Sequence, residues 1–285
     1  EFIALGSVIR NFLNPDLVLI GASDSRSATT IQELYASMVE SRPAYGVMSL
    51  TNAELTKLSL NCFVTMKISF VNELTALCQA TPGADVDAIT KALGADSRIG
   101  PKYLKGGLGF GGPCLPRDNV AMQRYAAGKG LELRLSPAVT SVNRDVVERL
   151  FAAVAQRVPA PGPVALLGLS YKPGTHIVEE SQSLMLARRL GDAGYAIRLH
   201  APLAVAFSGE ALSGLGKTCD DPYQAAAGAR AVVLLTDWPE YGGLDWERLQ
   251  RAAGPQPLLV DSWRALKDMA FTRFSYLGLG LGPKP

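Results

Sequence analysis

From Asn52 to Gln79 the apolar positions recur with a helical period, and the stretch contains neither Pro nor Gly. The spacing predicts a single helix of about 28 residues, roughly 42 Å long at about 1.5 Å per residue. That is long enough to act as the spine of a domain or as a seam between subunits. Before it, Val18-Leu19-Ile20-Gly21-Ala22 reads as a short strand and Ala28 to Glu40 as a helix, the tail of an α/β unit. After the Pro82-Gly83 break, Asp85 is placed to cap a short helix ending at Gly94, and a glycine-rich stretch, Gly106 to Gly112, follows. Further helices are expected from about Asp118 to Ala127 and from about Pro137 to Val158.

Pro159-Ala160-Pro161-Gly162-Pro163 then reads as a linker, and beyond it the pattern changes. Val164 to Gly168, Ala196 to His200, Ala231 to Thr236 and Pro257 to Asp261 are buried-type strands, with a helix from Ser183 to Ala193. Such alternation predicts an α/β fold, an all-helical central part followed by a doubly wound parallel sheet whose ligand lies at the carboxyl ends of its strands. The expected division is 1–47, 48–158 and 159–285. The opening, Glu1-Phe2-Ile3-Ala4-Leu5-Gly6, starts in mid-pattern without Met, and a partial chain is expected.

Composition removes several function classes. The 28 Lys and Arg against 26 Asp and Glu leave a net charge of +2 without blocks, so no field favours nucleic acid or an anionic membrane, and a phosphate ligand has to be met locally. Four widely spaced cysteines without a CxxC pair, beside two histidines, argue against a structural zinc site, and no metal is expected. Cysteines of this kind suit a reducing compartment, and no apolar run reaches the roughly 18 residues of a membrane span, so a cytoplasmic location is expected.

The sharpest candidate chemistry lies in Leu108-Gly109-Phe110-Gly111-Gly112-Pro113-Cys114-Leu115-Pro116-Arg117-Asp118. Its glycines let backbone pass close to a ligand, and Pro116 just inside a helix start sets Cys114 at the positive end of that helix, where a thiol is more readily ionised. A thiolate adds to an aldehyde, the thiohemiacetal gives up hydride, and the thioester is hydrolysed. Asp118, one turn on, is placed to order a water or take a proton. An inert cysteine beside a turn is the alternative. Lys57, Asn61 and Thr65, at i, i+4 and i+8, form one polar stripe able to hold a developing alkoxide, although such a stripe on its own is more often a solvated helix face. Gly168-Leu169-Ser170-Tyr171-Lys172-Pro173-Gly174-Thr175 follows a strand where a nucleotide phosphate would sit, with Lys172 as its cation, or is a plain connecting loop.

Together these segments resemble the UDP-glucose/GDP-mannose dehydrogenase family over essentially the whole chain. Gly111-Gly112-Pro113-Cys114 followed by Arg117-Asp118 is similar to the family's Gly-Gly-x-Cys-x-x-basic-Asp motif, and Lys57 with Asn61 to its helical Lys-x-x-x-Asn pair. The resemblance implies Cys114 as nucleophile, Asp118, Lys57 and Asn61 as its catalytic partners, and Glu1 as the glutamate assisting thioester hydrolysis. It implies Tyr103, Leu104, Lys105, Phe110 and Gly111 as the nucleotide-sugar loop, Lys172 as a substrate lysine, and Arg264 as an arginine reaching the substrate of a neighbouring subunit. The implied fold is a helical dimerisation domain followed by a Rossmann-like sheet, with 1–47 the tail of a dinucleotide-binding domain. The implied reaction is NAD-dependent oxidation of the C6 alcohol of a UDP-hexose, UDP-glucose foremost, to the uronate, in a homodimer built on the long helix. The residues that contact NAD are not identified. Two other functions stand beside it: a non-catalytic nucleotide-sugar-binding or dimerisation module, and a dehydrogenase acting on UDP-N-acetylmannosamine or GDP-mannose.

Overall fold

Asp24, Ser49, Asp85 and Ser181 each accept a hydrogen bond from a backbone N–H two or three residues on, and a helix starts immediately after each. A computed structural model of the chain describes residues 6–203 and 209–284. Its first elements are α1 (Val8–Leu13), β1 (Leu17–Gly21), α2 (Ser25–Met38) and β2 (Ala44–Met48). β1 and β2 pair in parallel. The helical region follows as α3 (Leu50–Ala80), α4 (Val86–Ala95), α5 (Leu115–Ala127) and α6 (Leu135–Ala155). α3 runs for 31 residues, and starts earlier than its periodicity suggests because Ser49 supplies the cap.

α3 is polar on its inner side. Thr65, Ser69, Asn72 and Thr75 are all buried, and they recur at helical spacing towards α5, α6 and the glycine-rich loop. Each is hydrogen-bonded: Thr65 accepts from Asn119, Ser69 donates to the Val139 carbonyl, Asn72 to that of Leu108, and Thr75 to that of Val71. Phe63, Phe70 and Leu77, seven residues apart and each more than half exposed, lie on the opposite side. Of the stripe Lys57, Asn61 and Thr65, Lys57 and Asn61 are partly exposed and Thr65 is buried; from Thr65 a buried polar row continues through Ser69, Asn72 and Thr75, facing inward because its partners are there, while the apolar stripe faces outward.

The remaining elements form a six-stranded, all-parallel sheet: β3 (Pro163–Leu167), β4 (Ala196–His200), β5 (Lys217–Thr218), β6 (Ala231–Leu234), β7 (Leu258–Asp261) and β8 (Ser275–Gly278). The strand order is β5-β4-β3-β6-β7-β8, a doubly wound arrangement that reverses direction between β3 and β6. α7 (Gln182–Asp192) covers one face with α6, and shorter helices cover the other. β3, β6 and β7 are buried almost throughout, which is why they read as continuous apolar runs rather than alternating ones. β2 and β8, five and four residues long, are partly exposed and carry no such signal.

Among the described residues no helix is long and apolar enough to cross a membrane, and no group of three or more His, Cys, Asp or Glu is arranged to hold a metal ion.

Candidate functional site

Cys114 is the residue at the N-cap of α5, and it is exposed. Its side chain makes no cap hydrogen bond, so the sulfur stays outside the helix while the α5 dipole points its positive end at it. Pro116 occupies the first turn, where its missing N–H costs nothing. One turn on, the Asp118 backbone N–H donates to the Cys114 carbonyl (2.9 Å), and the nearly buried Asp118 carboxylate accepts from Asn61 Nδ2 (2.6 Å). The other carboxylate oxygen accepts from Arg117 Nε at 3.3 Å. Lys57 lies half-buried one turn before Asn61 on the same side of α3. Cys114, Asp118 and Asn61 are thus brought together; Glu1 lies outside the described residues.

The glycine-rich loop is held residue by residue. Gly107 N–H donates to Asn72 Oδ1 (3.0 Å), Gly109 N–H to Gln182 Oε1 (2.6 Å), Phe110 N–H to Asn143 Oδ1 (2.8 Å) and Gly112 N–H to the Glu179 carbonyl (3.0 Å). Asn143 Nδ2 returns a bond to the Phe110 carbonyl at 2.9 Å. Leu108 sits in the core shared by α6, α7 and the sheet, worth about 1.5–3 kcal/mol for one buried leucine. Gly111 and Gly112 are glycines because the C-terminal half presses on them. A Cβ on Gly111 would meet the Glu180 carbonyl, and one on Gly112 (φ +80°) would stand 2.8 Å from the Tyr171 ring. Burial, and then the charge of a Cys114 thiolate, push the Tyr171 phenol up. The loop that presents the sulfur therefore lies between α3, α6 and the loop after β3.

The switch point of the sheet opens beside it. Thr236 Oγ1 donates to the Ser170 carbonyl (2.8 Å) and Trp238 Nε1 to Ser170 Oγ (3.2 Å), tying the loops after β3 and β6. Lys172 is half-buried 5.7 Å from the centre of the Tyr171 ring, and burial draws its ammonium down from the ordinary lysine value. It precedes α7 by ten residues rather than opening that helix, whose N-terminus is capped from within by Ser181. Lys105 reaches across from the helical half to Asp237 (2.8 Å) and over the Trp263 ring (5.2 Å).

Other expected residues are placed differently. Leu104 is buried with Val71, Cys78 and Val86, and Phe110 is 5% exposed, so both side chains anchor the loop rather than face outward. Tyr103 is more than half exposed in a left-handed conformation (φ +64°). Arg264 does not reach outward: its side chain is 0% exposed and bonded to Asp87. Asn72, Asn143 and Gln182 were not singled out in the sequence, because isolated amides on apolar helices carry no spacing signal.

For a dinucleotide, no strand–loop–helix unit among the described residues has the glycine fingerprint. β1 runs into α2 through Gly21-Ala22-Ser23-Asp24, and β3 is followed by Gly168-Leu169-Ser170-Tyr171. Gly107-Leu108-Gly109-Phe110-Gly111-Gly112 has the spacing but lies between α4 and α5, with no strand before it. The described residues do not fit as a cradle for NAD.

Residues 51–145 match the family model "UDP-glucose/GDP-mannose dehydrogenase family, central domain", and residues 165–268 that family's "UDP binding domain". A UDP-glucose 6-dehydrogenase of Pseudomonas aeruginosa is 35% identical over 98% of this chain and 64% of its own length. One of Rhizobium meliloti is 32% identical over 98% of this chain and 65% of its own. The solved structure of a UDP-glucose dehydrogenase from the archaeon Pyrobaculum islandicum superposes with a TM-score of 0.88, at 32% identity, covering 98% of this chain and 62% of that one. The chain thus spans just under two thirds of the length of these relatives. With both halves matched and the Gly-Gly-x-Cys loop lying where they meet, the chain belongs to the UDP-glucose/GDP-mannose dehydrogenase family.

Proposed function

We propose that this chain forms the catalytic and nucleotide-sugar-binding part of an NAD-dependent nucleotide-sugar 6-dehydrogenase, with UDP-glucose the preferred substrate. The observation that carries the reading is Cys114 exposed at the N-terminus of α5 with the Asn61–Asp118 pair one turn away. The names of the relatives at 35% and 32% identity favour UDP-glucose over N-acetylated or GDP-linked sugars.

In this reading Lys57 and Asn61 hold the C6 oxygen as it gains charge, each such donor being worth about 3–4 kcal/mol of barrier. Cys114 adds to the C6 aldehyde. Asp118, oriented by Asn61, orders the water that releases the acid from the thioester. NAD is the hydride acceptor that the reading calls for. Tyr103, Lys105, Gly111 and Lys172 border the nucleotide sugar, with the two lysines matched to its diphosphate. Residues 48–158 make up the catalytic unit, 159–285 the nucleotide-sugar unit, and 1–47 belong to a dinucleotide-binding α/β unit. The outward stripe of Phe63, Phe70 and Leu77 is the seam of a homodimer, and the protein works in the cytoplasm.

The deciding experiment is Cys114→Ser in the active protein. Uronate formation is expected to stop while UDP-glucose, titrated by calorimetry, still binds. Continued acid production would remove the nucleophile from the reading.

A further inference from the structure

Arg264 stands at the end of β7 in the left-handed region (φ +58°), a conformation a side-chain-bearing residue holds only when its surroundings impose it. Its guanidinium is wholly buried and joins three separate stretches of chain. Nε and Nη2 donate to the two oxygens of Asp87, in the first turn of α4, at 2.9 and 2.8 Å. Nη1 donates to the Leu279 carbonyl, just after β8, at 2.6 Å. Nη2 also donates to the Gly106 carbonyl at 2.8 Å.

Gly106 is the base of the loop that ends at Cys114. A Cβ there would collide with Thr75 Oγ1, so the backbone itself lies against α3. Its neighbours point two ways. Lys105 leaves towards Asp237 and the Trp263 ring, while a Cβ on Gly107 (φ +156°) would stand 2.7–2.8 Å from that ring and from the Ser262 carbonyl. The carbonyl between them is held by a charged donor whose own position is fixed by the part-buried Asp87 carboxylate. Lys267 adds a second cation 3.4 Å from Asp87. Only a planar fork meets a carboxylate in two bonds and still has donors for two carbonyls; an ammonium does not.

Resting on the reading under Proposed function, we infer that Arg264 is a positioning residue. Through Asp87 on one side and the Gly106 carbonyl on the other, it sets the substrate loop 103–112 and the direction in which Lys105 leaves it, without touching substrate itself. This assignment differs from a direct ligand contact in one respect that can be measured: Asp87 has to matter as much as Arg264.

The test uses Asp87→Asn, Arg264→Lys and the double variant, with Arg251→Ala, which breaks only a surface pair with Glu247, as control. Hydrogen exchange of the Gly107–Phe110 amides and calorimetric titration of UDP-glucose are the two readouts. Each single variant is expected to speed exchange, and to weaken UDP-glucose binding, by about tenfold, with the double variant close to either single one, as for residues acting as one unit. The control is expected to match the wild type in both. Unaltered exchange in both single variants overturns the inference, as does an Asp87→Asn protein that binds normally while Arg264→Lys does not. If Arg264→Lys fails to fold, Asp87→Asn, which keeps its shape, decides. A folded wild-type chain that binds no nucleotide sugar counts against the proposed function, and the exchange result then decides the clamp on its own.

Discussion

The Asn61 amide donates to the Asp118 carboxylate across 2.6 Å, joining the middle of α3 to the first turn of α5. This bond fixes which way the carboxylate faces. The remaining lone pairs of the acid are directed by that constraint and by Arg117 on the other oxygen at 3.3 Å.

Asp118→Asn is therefore expected to slow acid formation about 100-fold or more, the usual contribution of a positioned base. The loss falls on thioester hydrolysis, so the acyl-enzyme should accumulate on Cys114 and be visible as added mass in the intact protein. Asn61→Ala should give a smaller loss of the same kind. Normal turnover in Asp118→Asn would show that the carboxylate is a structural partner of Asn61 only.

The glycine pair before Cys114 is expected to be intolerant for a reason outside its own segment. Gly112→Ala places a methyl 2.8 Å from the Tyr171 ring at φ +80°, and is expected to lower unfolding free energy by about 1–3 kcal/mol in urea titration. Gly100→Ala, also at positive φ (+69°) but with nothing within 4 Å, is the comparison and should cost less. Shortening Tyr171 to Ala in the Gly112→Ala background should recover the steric part. Equal losses at the two glycines would mean that the Tyr171 approach contributes nothing.

Much of this architecture is written in local pattern. α3, α4 and the strands β3, β4, β6 and β7 follow from period and caps, and Cys114 with Asp118 from the spacing of a glycine pair, a proline and an acid. What is not local is not legible. Asn72, Asn143 and Gln182 matter because their amides meet one loop from three helices, and only the folded chain brings them there. Leu104, Phe110 and Arg264 sit in or beside motif segments, yet their side chains are consumed by packing or by an internal ion pair. The buried polar row of α3 from Thr65 through Ser69 and Asn72 to Thr75 carries no signal of its own until its partners on α5, α6 and the glycine-rich loop are known.

That inward row leaves Phe63, Phe70 and Leu77 outward at heptad spacing, 55–63% exposed. If this stripe is the seam between two copies, Phe70→Asp would confront two carboxylates across it and convert a dimer into monomers in sedimentation velocity, with the fold retained by circular dichroism. A wild-type protein that sediments as a monomer at micromolar concentration would dispose of the seam.

His200 gives the fold a pH dependence whose sign can be worked out. Its Nδ1 lies 3.0 Å from the Tyr241 hydroxyl, which itself donates to the His200 carbonyl at 3.1 Å. Burial above all holds the imidazole below its ordinary value, against the pull of Asp221 and Asp220. Between the folded and unfolded values the unfolded chain binds a proton that the folded chain refuses, so unfolding free energy rises with pH there. The contribution is complete above the unfolded value of about 6.5 and is lost as pH falls through it towards the folded one. The Asp87 carboxyl, resisted by burial but held down by Arg264, responds only near and below pH of about 4, outside this window. Urea midpoints measured from pH 7.5 to 5 should therefore fall more steeply in the wild type than in His200→Gln; parallel slopes would show that the buried imidazole is not the group responsible.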